Sequence, residues 1–127
     1  MTYKRPLASF TAVRDILVVD DQYEITDLVK DFLVDEGYQV RVAHDGASAW
    51  LDIQQRRPGL VILDVSMPVM TGDDLLRLLR KAGSTVPIIL MTAGHQPQIY
   101  QGLGANVILP KPFDLDTLLT LVEKYMQ

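Results

Sequence analysis

The chain has 127 residues, 48% of them apolar and 22% charged, with a formal net charge of −4 and no cysteine. That length suits one domain with one substantial core, and the lack of cysteine excludes disulfides, thiolate metal sites and cysteine nucleophiles. The acidic balance, with no stripe rich in lysine or arginine, argues against direct nucleic-acid binding, and no apolar run approaches the length of a membrane span.

Residues 1–14 carry Lys4, Arg5 and Arg14 without the apolar stretch of a signal peptide. They read as a loosely ordered tail before a single domain over 15–127, and the expected location is cytoplasmic. From there, short β-branched runs alternate with amphipathic stretches, the pattern of βαβ units around a parallel sheet. Strands are predicted at 15–20, 39–43, 59–64, 86–92 and 105–109. The first helix follows from Ile25, Leu28, Val29, Phe32 and Leu33, which share a face at the 3.6-residue period, and Gly37 suits its C-terminal cap. The second opens at Asp45 and stops before Pro58, which restricts Arg57; Trp50 falls with Ala47 and Leu51 on its apolar face. Thr71 caps the third, Asp73 and Asp74 favour its dipole, and Leu75, Leu76, Leu78 and Leu79 supply its buried face. Pro97 opens a fourth helix that Gly102 or Gly104 ends after about two turns. Asp114 caps the last, whose stripe is Leu115, Leu118, Leu119 and Val122. Pro110 puts the fifth strand on a sheet edge, which fits strand order 2-1-3-4-5. The predicted fold is α/β, a doubly wound five-stranded parallel sheet with five helices, the fourth shortened.

Chemistry-bearing side chains gather at one rim of that sheet. Asp20 and Asp21 close the run Ile16-Leu17-Val18-Val19, Asp64 closes Leu60-Val61-Ile62-Leu63, and Thr92 closes Ile88-Ile89-Leu90-Met91. Lys111 follows Val107-Ile108-Leu109. Open α/β sheets place their ligands at the carboxyl ends of the strands. Three close carboxylates repel, so at neutral pH one stays protonated unless a cation compensates. Mg²⁺ suits such oxygen donors, whereas zinc would call for cysteines or paired histidines. With the ion and Lys111 neutralising charge, a phosphoryl group can be held beside Asp64, whose carboxylate then acts as nucleophile to give an acyl phosphate. Taken singly, each acid reads as a helix cap, Thr92 as a solvated strand end and Lys111 as a surface charge; only the constellation promotes them. His44 reads as an exposed loop residue. His95, three residues after Thr92, reads as a loop histidine rather than a phosphate contact. Packing accounts for Met67 and Met70.

Residues 15–127 resemble a response-regulator receiver domain of two-component signalling, similar to chemotaxis regulators. The motifs are Val18-Val19-Asp20-Asp21, Asp64-Val65-Ser66-Met67-Pro68, Met91-Thr92-Ala93 and Pro110-Lys111-Pro112-Phe113, in the family's order and approximate spacing. The resemblance implies a flavodoxin-like fold with Asp64 as phosphoacceptor. It implies Asp21, Asp64 and the Ser66 backbone carbonyl as Mg²⁺ ligands, with Asp20 acting largely through water. Lys111 would pair with one phosphoryl oxygen, the Thr92 hydroxyl would swing in to bind another, and the Ala93 N–H would help cradle the group. The Lys111-Pro112 bond would be cis. The implied partners are a histidine kinase or phosphotransfer protein as donor and an unidentified downstream protein. The implied role is that of a regulatory phosphoacceptor, not an enzyme. Two features depart from the family: Ile108 stands where Tyr or Phe is usual, and residues 93–110 run roughly three residues short, nearly one helical turn.

Three other functions compete. An aspartate-nucleophile phosphatase needs a second acid two residues after the nucleophile, where this chain has Ser66. A flavin-binding module would place phosphate against Asp21-Gln22-Tyr23-Glu24, which repels it. An interaction module that has lost phosphorylation is disfavoured, because each acceptor-site group is present. The sequence leaves open whether the domain stands alone or belongs to a longer protein.

Overall fold

A computed structural model of the chain describes residues 15–94 and 96–127. The expected tail over 1–14 and His95 lie outside the described residues. Five strands, β1 (Ile16–Val19), β2 (Val40–Ala43), β3 (Leu60–Asp64), β4 (Ile88–Thr92) and β5 (Val107–Pro110), form one sheet in the order β2-β1-β3-β4-β5. Every pairing is parallel. The crossovers are α1 (Tyr23–Asp35), α2 (Gly46–Gln55) and α3 (Gly72–Lys81), and α4 (Leu115–Tyr125) follows β5.

Period-two alternation divides the strand residues between two layers. Ile16, Val18, Leu60, Ile62, Ile89, Met91 and Leu109 face α1 and α4, where Val29, Leu33, Leu118 and Val122 complete the packing. Leu17, Val19, Val61, Leu63, Ile88 and Leu90 face α2 and α3, against Ala49, Ile53, Leu75, Leu76 and Leu79. β1, β3 and β4 are buried along their whole length, the condition of a parallel sheet covered on both faces. β5 is the edge strand, and Pro110 sits at its end as expected.

The helix ends follow local chemistry. Gly37, just past α1, takes a φ of 98°, a conformation open to glycine at little steric cost. Asp45 accepts the Ser48 N–H at 2.7 Å, and Thr71 and Asp74 form a reciprocal capping box at 3.3 Å. Asp114 precedes α4, but its side chain makes no capping hydrogen bond. Some helix faces differ from the periodic reading. Leu28 and Leu51 are 54% and 60% exposed, and Ala47 is exposed too. Each lies at the margin of an apolar stripe about 100° wide. Trp50 is half-buried against the α2–α3 layer, the packing role expected of it, and Leu78 is half-buried.

The predicted fourth helix is a single 3₁₀ turn, Pro97–Tyr100, so there are four α-helices among the described residues. Pro97 supplies no N–H, Gln101 is already extended, and Gly102 and Gly104 take φ of 84° and 105°. Too few residues remain to repay helix nucleation. Tyr100 and Leu103 instead lie against the core that a helix would cover.

Gly72 sets how closely α3 approaches the end of β3. Its N–H donates to the Val65 carbonyl at 2.9 Å, and a Cβ there would lie 2.0 Å from the Asp64 carbonyl oxygen. Gly72→Ala should therefore destabilise the fold by about 3 kcal/mol, read as a lowered urea midpoint at unchanged slope. A midpoint equal to wild type would show that the loop accommodates the methyl group.

Candidate functional site

Strand register assembles the site. Val19 pairs with Leu63, so the residues that follow, Asp20 and Asp64, emerge side by side. Asp64 pairs with Met91 and Thr92 with Pro110, which brings Thr92 and Lys111 to the same rim. The backbone continues these ladders: Val65 N–H donates to the Met91 carbonyl at 2.9 Å, and Lys111 N–H to the Thr92 carbonyl at 2.7 Å. Asp20, Asp64 and Thr92 are 0%, 3% and 2% exposed, whereas Asp21 is exposed. The Lys111-Pro112 bond is cis, as the resemblance implied.

The Lys111 ammonium donates to Asp64 Oδ1 at 2.9 Å and to Asp20 Oδ2 at 3.1 Å. Asp20 Oδ1 accepts the Gln22 N–H at 2.9 Å. Carboxylate oxygens of Asp20, Asp21 and Asp64 lie within 4.8 Å of one another. This set of hard oxygen donors with surplus negative charge fits a hard divalent cation. Burial pushes the Asp64 carboxyl up to about 6; the neighbouring Asp20 and Asp21 add to the rise, and Lys111 opposes it. Burial also works against the Lys111 charge, but bonding and attraction to Asp64 and Asp20 outweigh it and raise its pKa.

The remaining predicted residues sit around this cluster in different ways. Ser66 and Ala93 are exposed on the loops after β3 and β4. Thr92 Oγ1 accepts the Gly94 N–H at 3.1 Å, a local turn that holds the hydroxyl in its own loop. Met67 is buried and Met70 half-buried, consistent with packing. His44 departs from the reading of an exposed loop residue. It is half-buried, stacked on Tyr23 and in contact with the Thr26 hydroxyl. Sequence periodicity carries no signal for that contact, because it joins α1 to the loop after β2.

This fold and rim define a receiver, and comparison with known proteins agrees. The sequence model of the response regulator receiver domain matches residues 16–123, and the chain belongs to that family. It is 38% identical over 114 residues to sporulation initiation phosphotransferase F of Bacillus subtilis (strain 168), spanning 87% of this chain and 92% of that protein. Transcriptional regulatory protein CpxR of Escherichia coli (strain K12) is 46% identical over 102 residues, which cover 78% of this chain but 43% of CpxR. Among solved structures, the receiver domain of NtrX from Brucella abortus superposes with a TM-score of 0.82 at 34% identity, covering 88% of this chain and 98% of that one. The chemotaxis protein CheY4 of Vibrio cholerae gives 0.81 at 35%, with the same coverage. The protein is thus a receiver domain of two-component signalling, homologous to phosphorylatable response regulators. Receiver domains are regulatory phosphoacceptors that generally bind Mg²⁺ at an acidic pocket and interact with histidine kinases or phosphotransfer proteins. Among the described residues, no helix is long and apolar enough to cross a membrane.

The raised Asp64 pKa has a consequence for stability with a definite sign. The folded state holds that proton more tightly than the unfolded chain, so its contribution is fully present below about pH 4 and is lost as pH rises through 6. In EDTA at pH 8, Asp64→Asn should be more stable than wild type by about 1–3 kcal/mol, and the gain should vanish near pH 4. Denaturant titrations at several pH values measure this, and a gain independent of pH would contradict the assigned shift.

Proposed function

We propose that Asp64 accepts a phosphoryl group from a histidine kinase or phosphotransfer protein in a Mg²⁺-dependent reaction, and that the resulting change switches a partner interaction. The observation that carries this reading is the Lys111 ammonium bridging Asp64 and Asp20 while Asp21 stands within reach of the same point. Asp21, Asp64 and the Ser66 carbonyl would hold the ion, with Asp20 acting through water. Bound Mg²⁺ supplies charge neutralisation to the carboxylates and phosphoryl oxygens. The Asp64 carboxylate forms the new P–O bond as the P–N bond of the donor phosphohistidine breaks, and the imidazole departs with the bonding electron pair. Lys111 then leaves its carboxylate for a phosphoryl oxygen. The Thr92 hydroxyl gives up the Gly94 N–H and donates to another, and the Ala93 N–H meets a third.

A docking surface for the donor supports the same reading. An apolar groove of about 580 Å³ runs beside Lys111 and Ala93, lined by Ile25, Leu28, Val29, Pro112, Phe113 and Leu115. It accounts for the exposure of Leu28 and suits the apolar face of a helix from a kinase or phosphotransfer protein. This role belongs in the cytoplasm and calls for neither nucleic acid nor membrane. Residues 1–14 would lie outside the receiver unit of 15–127.

Acetyl phosphate with Mg²⁺ should add one phosphoryl group by intact mass, and neither Asp64→Asn nor wild type in EDTA should gain it. A stoichiometric adduct persisting in Asp64→Asn would falsify the assignment. Lys111→Ala should keep the fold, since a rim lysine contributes little packing, while losing most of its labelling rate.

The readout differs from that of a receiver with a full fourth helix. Ile108 is half-buried and has no ring or hydroxyl with which to report on Thr92, and the 3₁₀ turn offers little contact area. Beryllofluoride with Mg²⁺ should increase amide exchange at 93–94 with little self-association in sedimentation. Tight dimers protected over 97–126 would show that the altered face still serves assembly.

A further inference from the structure

The N-terminal end of α1 lacks a capping side chain: Gln22 holds the cap position without a side-chain hydrogen bond. The Gln22 amide goes to Asp20 Oδ1, so this first turn and the acceptor-site acids are one piece of structure. Thr26, fully buried in the same turn, donates its hydroxyl proton to the Tyr23 carbonyl at 3.0 Å. A hydroxyl has one proton, so the second contact of Oγ1, His44 Nε2 at 3.1 Å, is one in which Thr26 accepts and His44 donates. The imidazole lies flat on the Tyr23 ring, with centroids 3.6 Å apart and planes 12° from parallel. His44 directly follows β2, and the carbonyl of the preceding Ala43 accepts the Asp20 N–H at 3.2 Å. One side chain thus holds the α1 turn through a hydrogen bond and a stack, from the strand beside Asp20.

We propose that His44 is a positioning residue for the acceptor site: donating to Thr26 and stacking on Tyr23, it fixes the first turn of α1 and with it the Asp21 carboxylate. The proposal rests on the reading of Asp21 as a metal ligand. His44 touches neither ion nor phosphoryl group, so its removal loosens one ligand rather than deleting it. Metal affinity should therefore fall while the rate at saturating metal survives.

The test titrates the full chain with Mn²⁺, followed by electron paramagnetic resonance, and with Mg²⁺ by competition. Acetyl phosphate labelling is then measured against Mg²⁺ concentration. His44→Ala should bind either ion roughly fivefold more weakly, with labelling at saturating Mg²⁺ within about twofold of wild type. His44→Gln, which keeps an N–H donor, should recover part of the affinity. Should His44→Ala fail to fold, His44→Phe, which keeps the stack and drops the hydrogen bond, carries the same comparison. Long-range ¹H–¹⁵N spectra should find the proton of the neutral ring on Nε2. A folded His44→Ala or His44→Phe with wild-type metal affinity overturns the proposal and leaves the acceptor reading intact. A wild-type chain that binds neither ion removes both.

Discussion

The carboxyl end of the sheet depends on one ammonium shared between two buried carboxylates. Lys111, Asp64 and Asp20 each sit at or just beyond the end of a strand locked in the central sheet, so the distances of 2.9 and 3.1 Å are fixed by strand register. Taking such groups out of water is unfavourable, and the mutual attraction repays only part of it. The Asp64 carboxyl at about 6 measures the imbalance: two units above its ordinary value correspond to about 3 kcal/mol in its charged form. Full burial of one Leu contributes a similar amount, about 1.5–3 kcal/mol. β1, β3 and β4 are covered on both faces, so the fold carries this strain with many such side chains in reserve.

Most of this was legible in the sequence because it depends on periodicity. Runs such as Leu60-Val61-Ile62-Leu63 mark strands buried on two faces, and an acid at the end of such a run has few places to go except the rim. Contacts that join distant elements through single side chains leave no periodic trace. The stack of His44 on Tyr23 is one example. Arg80 is another: it reaches from α3 to the Gly104 and Ser84 carbonyls and to Asn106 Oδ1 at 2.9, 3.0 and 3.3 Å. Leu28 and Leu51 were misassigned for a different reason, since an apolar residue at the margin of a stripe satisfies the helical period whether or not a neighbour covers it. The fourth helix failed on length alone, because counting residues between Pro97 and Gly104 does not reveal that Gln101 is already extended.

The loss of that helix makes the β4–β5 connection unequal at its two ends. Its distal end is clasped: Arg80 holds Gly104, Asn106 N–H donates to the Ile88 carbonyl, and Asn106 Oδ1 accepts the Ile88 N–H. Its proximal end leaves the sheet at Thr92, where the Gly94 N–H donates to Thr92 Oγ1 at 3.1 Å. The Thr92 carbonyl also accepts the Lys111 N–H at 2.7 Å, which ties the start of this connection to the edge strand β5.

Charge is balanced differently at the two ends of the sheet. At the amino end, buried Asp15 is ion-paired to Arg41 and Arg56, and Arg41 also pairs with Asp52. Two acids there meet two guanidiniums, so the formal charges balance. At the carboxyl end one ammonium is paired with Asp20 and Asp64 while Asp21 stands beside them, which leaves two negative charges unmatched when all three acids are ionised. A divalent cation cancels that excess. On the proposed reading, phosphorylation then replaces one carboxylate charge by a phosphoryl group carrying about two, and the balance becomes negative by about one. No further cation stands at the rim among the described groups that bond to these acids. On that reading the added charge is met by neutral donors, the proposed ones being the Thr92 hydroxyl and the Ala93 N–H. Thr92 Oγ1 accepts the Gly94 N–H and keeps its own proton to donate, so on the proposed reading its swing toward Asp64 links the chemistry there to the 93–94 turn by geometry.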